Sequence, residues 1–235
     1  MEDLVRYYRE HDDFLRYTIH DRARKRALSK LRSENKAYFG TRVLDVACGG
    51  GVLSSVLAGE DHEYVGLDKN PDMIKTAKEH TAEGSKSTFI LGDAASIALE
   101  GVFDTVTLLG NALIHFSASE LREVIRHLEG HVRVGSHFLV EYRDVVSILF
   151  DGKWNKKFIE RRGNLTVTSL TRGIDVERGA IAIGSRTKGA TRLEFTHAVW
   201  SPFILESLMS GLSWSLVKRR RTKGSYVWLD IYRKA

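Results

Sequence analysis

The sequence predicts an α/β fold: a doubly wound, mostly parallel sheet with an antiparallel β insertion after its fifth strand. Three observations carry this. From about residue 41 to 145, short apolar or β-branched runs alternate with helical patterns, as they do where crossover helices join parallel strands. The first apolar run, residues 43–46, ends in the small-residue turn Ala47-Cys48-Gly49-Gly50-Gly51 and passes straight into a helical pattern. Strand, glycine turn and helix in that order present backbone N–H groups to a nucleotide-like ligand. Aspartates then recur at strand ends, at Asp45, Asp68 and Asp93.

The elements follow in order. Residues 3–32 read as helical, because Leu4, Tyr7, Phe14, Leu15, Ile19, Leu28 and Leu31 recur at helical spacing. Strands are expected at 42–46, 62–67, 87–91, 103–109 and 136–141. Helices are expected at 51–58, from Pro71 to about Thr81, and at 119–128, Pro71 standing near a first helical position as helices prefer. After Tyr142-Arg143 the period changes. Runs at 157–161, 165–171, 174–183 and 190–200 alternate or are β-branched, with Gly163, Gly173, Gly184 and Gly189 between them, and no helical period intervenes. A helix at 202–209 and a hairpin at 214–220 and 225–232 close the chain.

The chain has 235 residues, 43% hydrophobic and 28% charged, which suits one domain over 1–235. Its expected parts are an N-terminal helical lid at 1–35, a ligand-binding core at 41–145, an insertion at about 150–200 and a closing segment at 201–235. No apolar stretch is long enough to span a bilayer and no signal-peptide core is present, so a cytoplasmic setting is expected. The single cysteine, Cys48, excludes an internal disulfide and reads as packing. No metal-ligand spacing of His, Cys or carboxylate appears, so no metal is expected. The net charge of +6 comes mostly from residues 22–26 and 218–221. Such runs read as solvated faces, with a nucleic-acid partner as the lesser alternative. Monomer and dimer remain equally open.

The glycine turn lacks both Gly-x-Gly-x-x-Gly and the lysine of a phosphate loop. Asp68 stands where a ribose diol needs an acceptor, and Asp93 where an exocyclic amine does. Asp45 either orients the turn or meets a cationic ligand. Three carboxylates suit a ligand with a ribose, an adenine and a positive charge, and would repel a pyrophosphate. Taken singly, each aspartate is as well read as a helix cap or turn former.

The ordered motifs Val43-Leu44-Asp45-Val46-Ala47-Cys48-Gly49-Gly50-Gly51, Gly66-Leu67-Asp68, Gly92-Asp93-Ala94 and Phe103-Asp104-Thr105-Val106 resemble those of class I S-adenosylmethionine-dependent methyltransferases. With Leu109-Gly110-Asn111 and His115 they look most like the glycine N-methyltransferase-like branch, although Ala47 stands where the common turn has glycine. The resemblance implies a seven-stranded, Rossmann-like methyltransferase sheet with a reversed last strand, and S-adenosyl-L-methionine as cofactor. It implies that Ala47, Gly49 and Gly51 approach the cofactor, Asp68 its ribose, and Asp93 with Ala94 its adenine. Asn111 and His115 would face the transfer site, and Tyr17 and Arg24 would fold over the cofactor. Arg143, with Tyr142 beside it, would bind a substrate carboxylate.

Other readings stand beside these. Arg143 is equally a surface arginine paired with Glu141 or Asp144, Asn111 a turn residue, and Tyr17 a core or rim aromatic. His115 is a cofactor contact, a proton acceptor or a helix-start histidine; no residue is certainly catalytic. The expected activity is methyl transfer to a small molecule, an amine or a carboxylate-bearing metabolite. An RNA or protein methyltransferase using the basic runs, and a non-catalytic cofactor-binding protein, are the alternatives.

Overall fold

In a computed structural model of the chain, the structure describes Tyr7 and residues 22–58, 61–81, 85–162, 165–187 and 192–235. Helix α1 (Arg22–Glu34) leads into β1 (Arg42–Val46), α2 (Val52–Leu57), β2 (Glu63–Asp68), α3 (Pro71–Glu79), β3 (Ser87–Leu91) and β4 (Phe103–Leu108). Then come α4 (Ala118–Leu128), β5 (Val132–Arg143), α5 (Val145–Phe150), β6 (Lys157–Arg162), β7 (Leu165–Asp175), β8 (Ala180–Thr187), β9 (Leu193–Ala198), α6 (Pro202–Met209), β10 (Trp214–Arg221) and β11 (Val227–Lys234). The main sheet has seven strands in the order β10-β11-β5-β4-β1-β2-β3, and β6-β7-β8-β9 form a second sheet.

Strands β1 to β5 pair in parallel, while β11 runs antiparallel to both β5 and β10. The last strand is therefore the reversed one. The chain winds outward from β1 through β2 to β3, then returns to β4 on the other side of β1. That leaves a crevice at the carboxyl ends of β1 and β4, where open α/β sheets take their ligands. Alternation along the strands supplies both faces. Leu44, Phe138, Val140 and Tyr232 pack with Leu121, Ile125, Leu205 and Leu208 of α4 and α6. Val43, Leu139, Leu229 and Ile231 pack with Leu28, Leu53, Leu57 and Ile74 of α1, α2 and α3.

Helices α3 to α6 start where side chains satisfy orphan N–H groups. Asn70 caps α3 ahead of Pro71, and Ser117 with Glu120 forms a full capping box on α4. Helix α5 was not expected. Its six residues are too few to reveal a period, and its start is marked by Asp144, which accepts from the Ser147 N–H and hydroxyl. Strand β5 begins at Val132 rather than residue 136, with Gly135 at φ +91 and a register shift against β4 absorbing the extra length. Most of the expected 3–32 helix lies outside the described residues, which begin it at Arg22.

The insertion is an antiparallel sheet in which two expected turn glycines, Gly173 and Gly184, lie inside strands. Strand β7 continues through Gly173 with a register shift there, and the chain reverses at 176–179. Gly179 at φ +59 makes that reversal, and Asp175 accepts from the Arg178 N–H. Gly184 lies inside β8, where a Cβ would fall 2.7 Å from Arg172 Nε across the strand pair. The sheet's base is fixed to the core because Val145 N donates to Trp200 O and Trp200 Nε1 to Phe116 O. Among the described residues no helix is long and apolar enough to cross a membrane.

Candidate active site

The glycine turn is built from left-handed residues. Ala47 and Gly49 both have φ +54, and Gly51 has φ +76. An alanine in this region is strained, which is why glycine suits the position. Cys48 N donates to Leu67 O, and Gly51 N to Cys48 O, clamping the turn against β2. The glycines meet different surroundings. A Cβ on Gly51 would lie 2.8 Å from the Phe89 ring, and one on Gly66 2.9 Å from Cys48 Sγ. Among the described residues a Cβ on Gly49 would meet only Met73 Sδ, at 3.9 Å, so no described residue fills the space on this face of the turn.

Asp68 sits directly beside that space. Its Oδ2 accepts from Gly49 N and its Oδ1 from Asn70 N, both at 2.9 Å. Burial raises its pKa against the lowering effect of these N–H groups. Each oxygen retains a further lone pair for a ligand hydroxyl. Asp45 is differently placed. Its carboxylate lies buried beneath the turn, accepting from the hydroxyls of Tyr64 at 2.8 Å and Thr107 at 2.6 Å. Those partners come from β2 and β4, so Asp45 ties the three central strands together. Burial pushes its pKa up to about 6. Asp93 is exposed past β3, where its Oδ1 accepts from Ala95 N, and Ala94 is buried next to it.

Beyond β4, Gly110 at φ +77 and Asn111 at φ +64 turn the chain into a 3₁₀ turn, Ala112–His115. Asn111 Oδ1 accepts from Arg143 N at 3.1 Å, joining the ends of β4 and β5. Glu141 was missed as a site residue. Its Oε2 accepts from Gly110 N at 2.8 Å and from Arg24 Nη2 at 3.0 Å, which brings Arg24 to the same crevice. The signal was an acid inside the otherwise apolar end of β5. Neither partner weighed for Arg143 is taken: Glu141 holds Arg24, and Asp144 caps α5. Among the described residues the exposed Arg143 guanidinium has no ion-pair partner. Tyr142 turns away from the crevice. Alternation sends its ring into the core, where its hydroxyl donates to the fully buried Asp230 at 2.9 Å. Tyr17 lies outside the described residues.

His115 faces the second sheet. Its ring centroid lies 5.6 Å from that of His197 on β9, edge to face. Burial, His197 and Lys69 lower the His115 pKa to about 3, and burial lowers that of His197 to about 4. Both imidazoles are therefore neutral near pH 7. Among the described residues no His, Cys and carboxylate cluster could hold a metal ion.

The basic run at 218–221 is absorbed by the fold. Lys218 Nζ donates to Asn35 Oδ1, and Arg219 binds Asp230 and Glu206. Arg220 pairs with Glu34, and Arg221 Nε donates to Ser225 O.

Residues 43–135 match the family model of a methyltransferase domain. The chain is 36% identical over 117 residues to a ubiquinone biosynthesis O-methyltransferase of Vibrio parahaemolyticus, a match covering 48% of each protein. It spans about half the length of the curated relatives it matches. Among solved structures, the PH0226 protein of Pyrococcus horikoshii superposes with a TM-score of 0.75 at 25% identity, over 98% of this chain and 99% of that one. A S-adenosylmethionine-dependent methyltransferase of Clostridium acetobutylicum superposes with a TM-score of 0.77 at 13% identity, covering 97% and 99%, a likeness of fold. These relatives do not single out the glycine N-methyltransferase-like branch.

Proposed function

We propose that this chain, whose residues 43–135 are a methyltransferase domain on the class I S-adenosylmethionine-dependent fold, transfers a methyl group from S-adenosyl-L-methionine to a small molecule. One observation carries the reading: Asp68, held by Gly49 N and Asn70 N, borders the face of the glycine turn that no described residue fills. This donor set fits the proposed cofactor. Acceptors for ribose hydroxyls are present, and the carboxylates Asp45, Asp68 and Asp93 suit a cation better than a pyrophosphate.

When bound, the cofactor supplies an electrophilic methyl group on a sulfonium. The residues' work is then placement. Asp68 binds the ribose, Asp93 and Ala94 the adenine edge, and Ala47, Gly49 and Gly51 let backbone approach the methionine part. Asp45 stiffens the turn from beneath. Arg24, tethered by Glu141, walls the crevice from α1. Holding the acceptor in line with the methyl group supplies most of the rate, and no strong base is required.

For the acceptor, we favour an amine or a carboxylate-bearing metabolite, with the Arg143 guanidinium gripping the carboxylate through paired hydrogen bonds. The Vibrio relatives are ubiquinone biosynthesis O-methyltransferases, which supports an oxygen nucleophile as the methylated atom. A polyanionic substrate is less favoured because Lys218, Arg219, Arg220 and Arg221 are engaged internally. Calorimetry with S-adenosylhomocysteine tests the cofactor assignment directly. Binding with one site per chain is expected, and absence of heat at saturating ligand overturns the reading.

A further inference from the structure

The surface beside the end of β5 bares apolar rings among cations. Phe150, the last residue of α5, is 88% exposed, and Phe203, in the first turn of α6, is 78% exposed. The hairpin of β10 and β11 links them. Tyr226 in its turn donates a hydroxyl to Asp151, next to Phe150, at 2.7 Å. The Arg221 guanidinium lies 5.4 Å from the centre of the Tyr226 ring. Arg219, two residues back on β10, reaches Pro202 O beside Phe203 at 3.3 Å. Exposed lysines stand along this chain of contacts: Lys153, whose N–H folds back to Ile148 O of α5, then Lys156, and Lys223 in the hairpin turn. Among the described residues none of the three has an ion-pair partner. The carboxylates beside them are held, Asp151 by Tyr226 and Glu206 by Arg219. Bare rings bracketing unpaired cations mark a surface for a partner that is both anionic and apolar. Arg219 and Arg221, the groups able to fork a phosphate, are already engaged with Asp230, Glu206 and Ser225 O. The lysines left are point charges on flexible stems, which suit a diffuse negative plane. Phenylalanine has no polar group to register with a base edge and gains by leaving water.

We propose that Phe150, Phe203, Lys153, Lys156 and Lys223 dock this chain on an anionic lipid bilayer. The two rings enter the headgroup layer while the ammonium groups stay at its surface. Asp144 N donates to Tyr226 O directly after β5 ends at Arg143, so docking sets the bilayer beside the crevice rim. Delivery of a bilayer-dissolved acceptor to the crevice rests on the methyl-transfer reading; the docking itself stands apart from it.

The full chain is sedimented with vesicles of phosphatidylcholine alone and of phosphatidylcholine with phosphatidylglycerol, beside the triple variant K153Q/K156Q/K223Q and the double variant F150S/F203S. Calorimetry with S-adenosylhomocysteine runs in parallel. The parent is expected to partition onto the anionic vesicles at least about tenfold more strongly than onto the neutral ones, and to be released by salt. The triple variant should lose about a hundredfold of that partitioning, about fivefold for each cation. The double variant should lose at least about tenfold on both vesicle types. Both variants alter exposed side chains and should keep the parent's unfolding midpoint and its S-adenosylhomocysteine affinity within about twofold. Equal partitioning of the parent onto the two vesicle types, or none, overturns the proposal. So does parental vesicle binding by either variant, or tighter binding of the parent to a single-stranded RNA oligonucleotide than to anionic vesicles, which assigns the surface to nucleic acid. Vesicle binding by a parent that does not bind S-adenosylhomocysteine removes the methyl-transfer reading and leaves the docking surface standing; the reverse result removes the docking surface alone.

Discussion

Arg24 and Glu141, 117 residues apart in the chain, meet at 3.0 Å where β5 ends. The same Glu141 oxygen accepts the N–H of Gly110. One carboxylate therefore ties the N-terminal helix to the left-handed turn that follows β4. Glu141→Ala removes the acceptor from both donors and should cost about 1–3 kcal/mol in urea unfolding. Glu141→Gln keeps an acceptor for Gly110 and should cost less than half as much. Equal losses would show that the ion pair, rather than the backbone bond, dominates.

Ala47 is held at φ +54, a region that costs an L-residue on the order of 1 kcal/mol. Ala47→Gly should be neutral to stabilising by up to about 1 kcal/mol, the strain relief being partly offset by greater freedom of the unfolded chain. A loss of denaturation midpoint greater than glycine's entropy explains would mean that the methyl group packs productively.

Asp68 accepts a backbone N–H at each oxygen. Asp68→Asn turns one acceptor into a donor facing another donor, so the turn and the ligand should both suffer. A fall of ten- to a hundredfold in S-adenosylhomocysteine affinity is expected by calorimetry, corresponding to about 1.4–2.8 kcal/mol. Unchanged affinity would remove Asp68 from the site.

Acid should destabilise the protein through the histidine pair. Their folded pKa values, about 3 and about 4, lie below the ordinary 6.5. The unfolded chain then binds protons that the native state refuses, and stability present above pH 6.5 is lost as pH falls toward 4. Asp45, raised to about 6 from 3.8, works the other way and gains native stability as pH falls through 6. Denaturant melts between pH 7 and 4.5 should therefore slope downward, and H197F should flatten the slope.

Arg219 reaches Asp230 with Nε and Nη2, at 2.9 and 2.8 Å. Tyr142 and Tyr232 also donate to that fully buried carboxylate. Arg219→Ala leaves a buried charge without its cation and should cost about 3–5 kcal/mol. Substituting Lys223, exposed in the hairpin turn, should change stability by under about 0.5 kcal/mol.

The strand and helix order of the core was legible because each element announces itself locally. Asp45 and the glycine turn mark the end of β1, Asn70-Pro71 starts α3, and Ser117 with Glu120 starts α4. Aspartates at strand ends were equally visible, yet their environments were not. Asp68 borders a space that no described residue fills while Asp45 is sealed by Tyr64 and Thr107, residues 19 and 62 positions from it in the chain. Tyr142 and Arg143 are adjacent in sequence, and only alternation across the folded sheet separates a core tyrosine from an exposed arginine. The contact of His197 with His115 was invisible because the two lie 82 residues apart; the return of β9 onto the turn after β4 brings the rings together. Gly173 read as a turn, but a bulge kept it inside β7 and Gly179 took the reversal instead.

The second sheet leaves the core after β5 and rejoins it at Trp200, where Val145 N meets Trp200 O and the indole N–H meets Phe116 O. Its two ends are thus stapled side by side, and none of its strands enters the register of the seven-stranded sheet. Such an insertion is a cassette. Residues between the staples can be exchanged for another sheet without re-threading the seven-stranded one, so what lies over the turn after β4 can drift or be engineered while the glycine turn stays untouched.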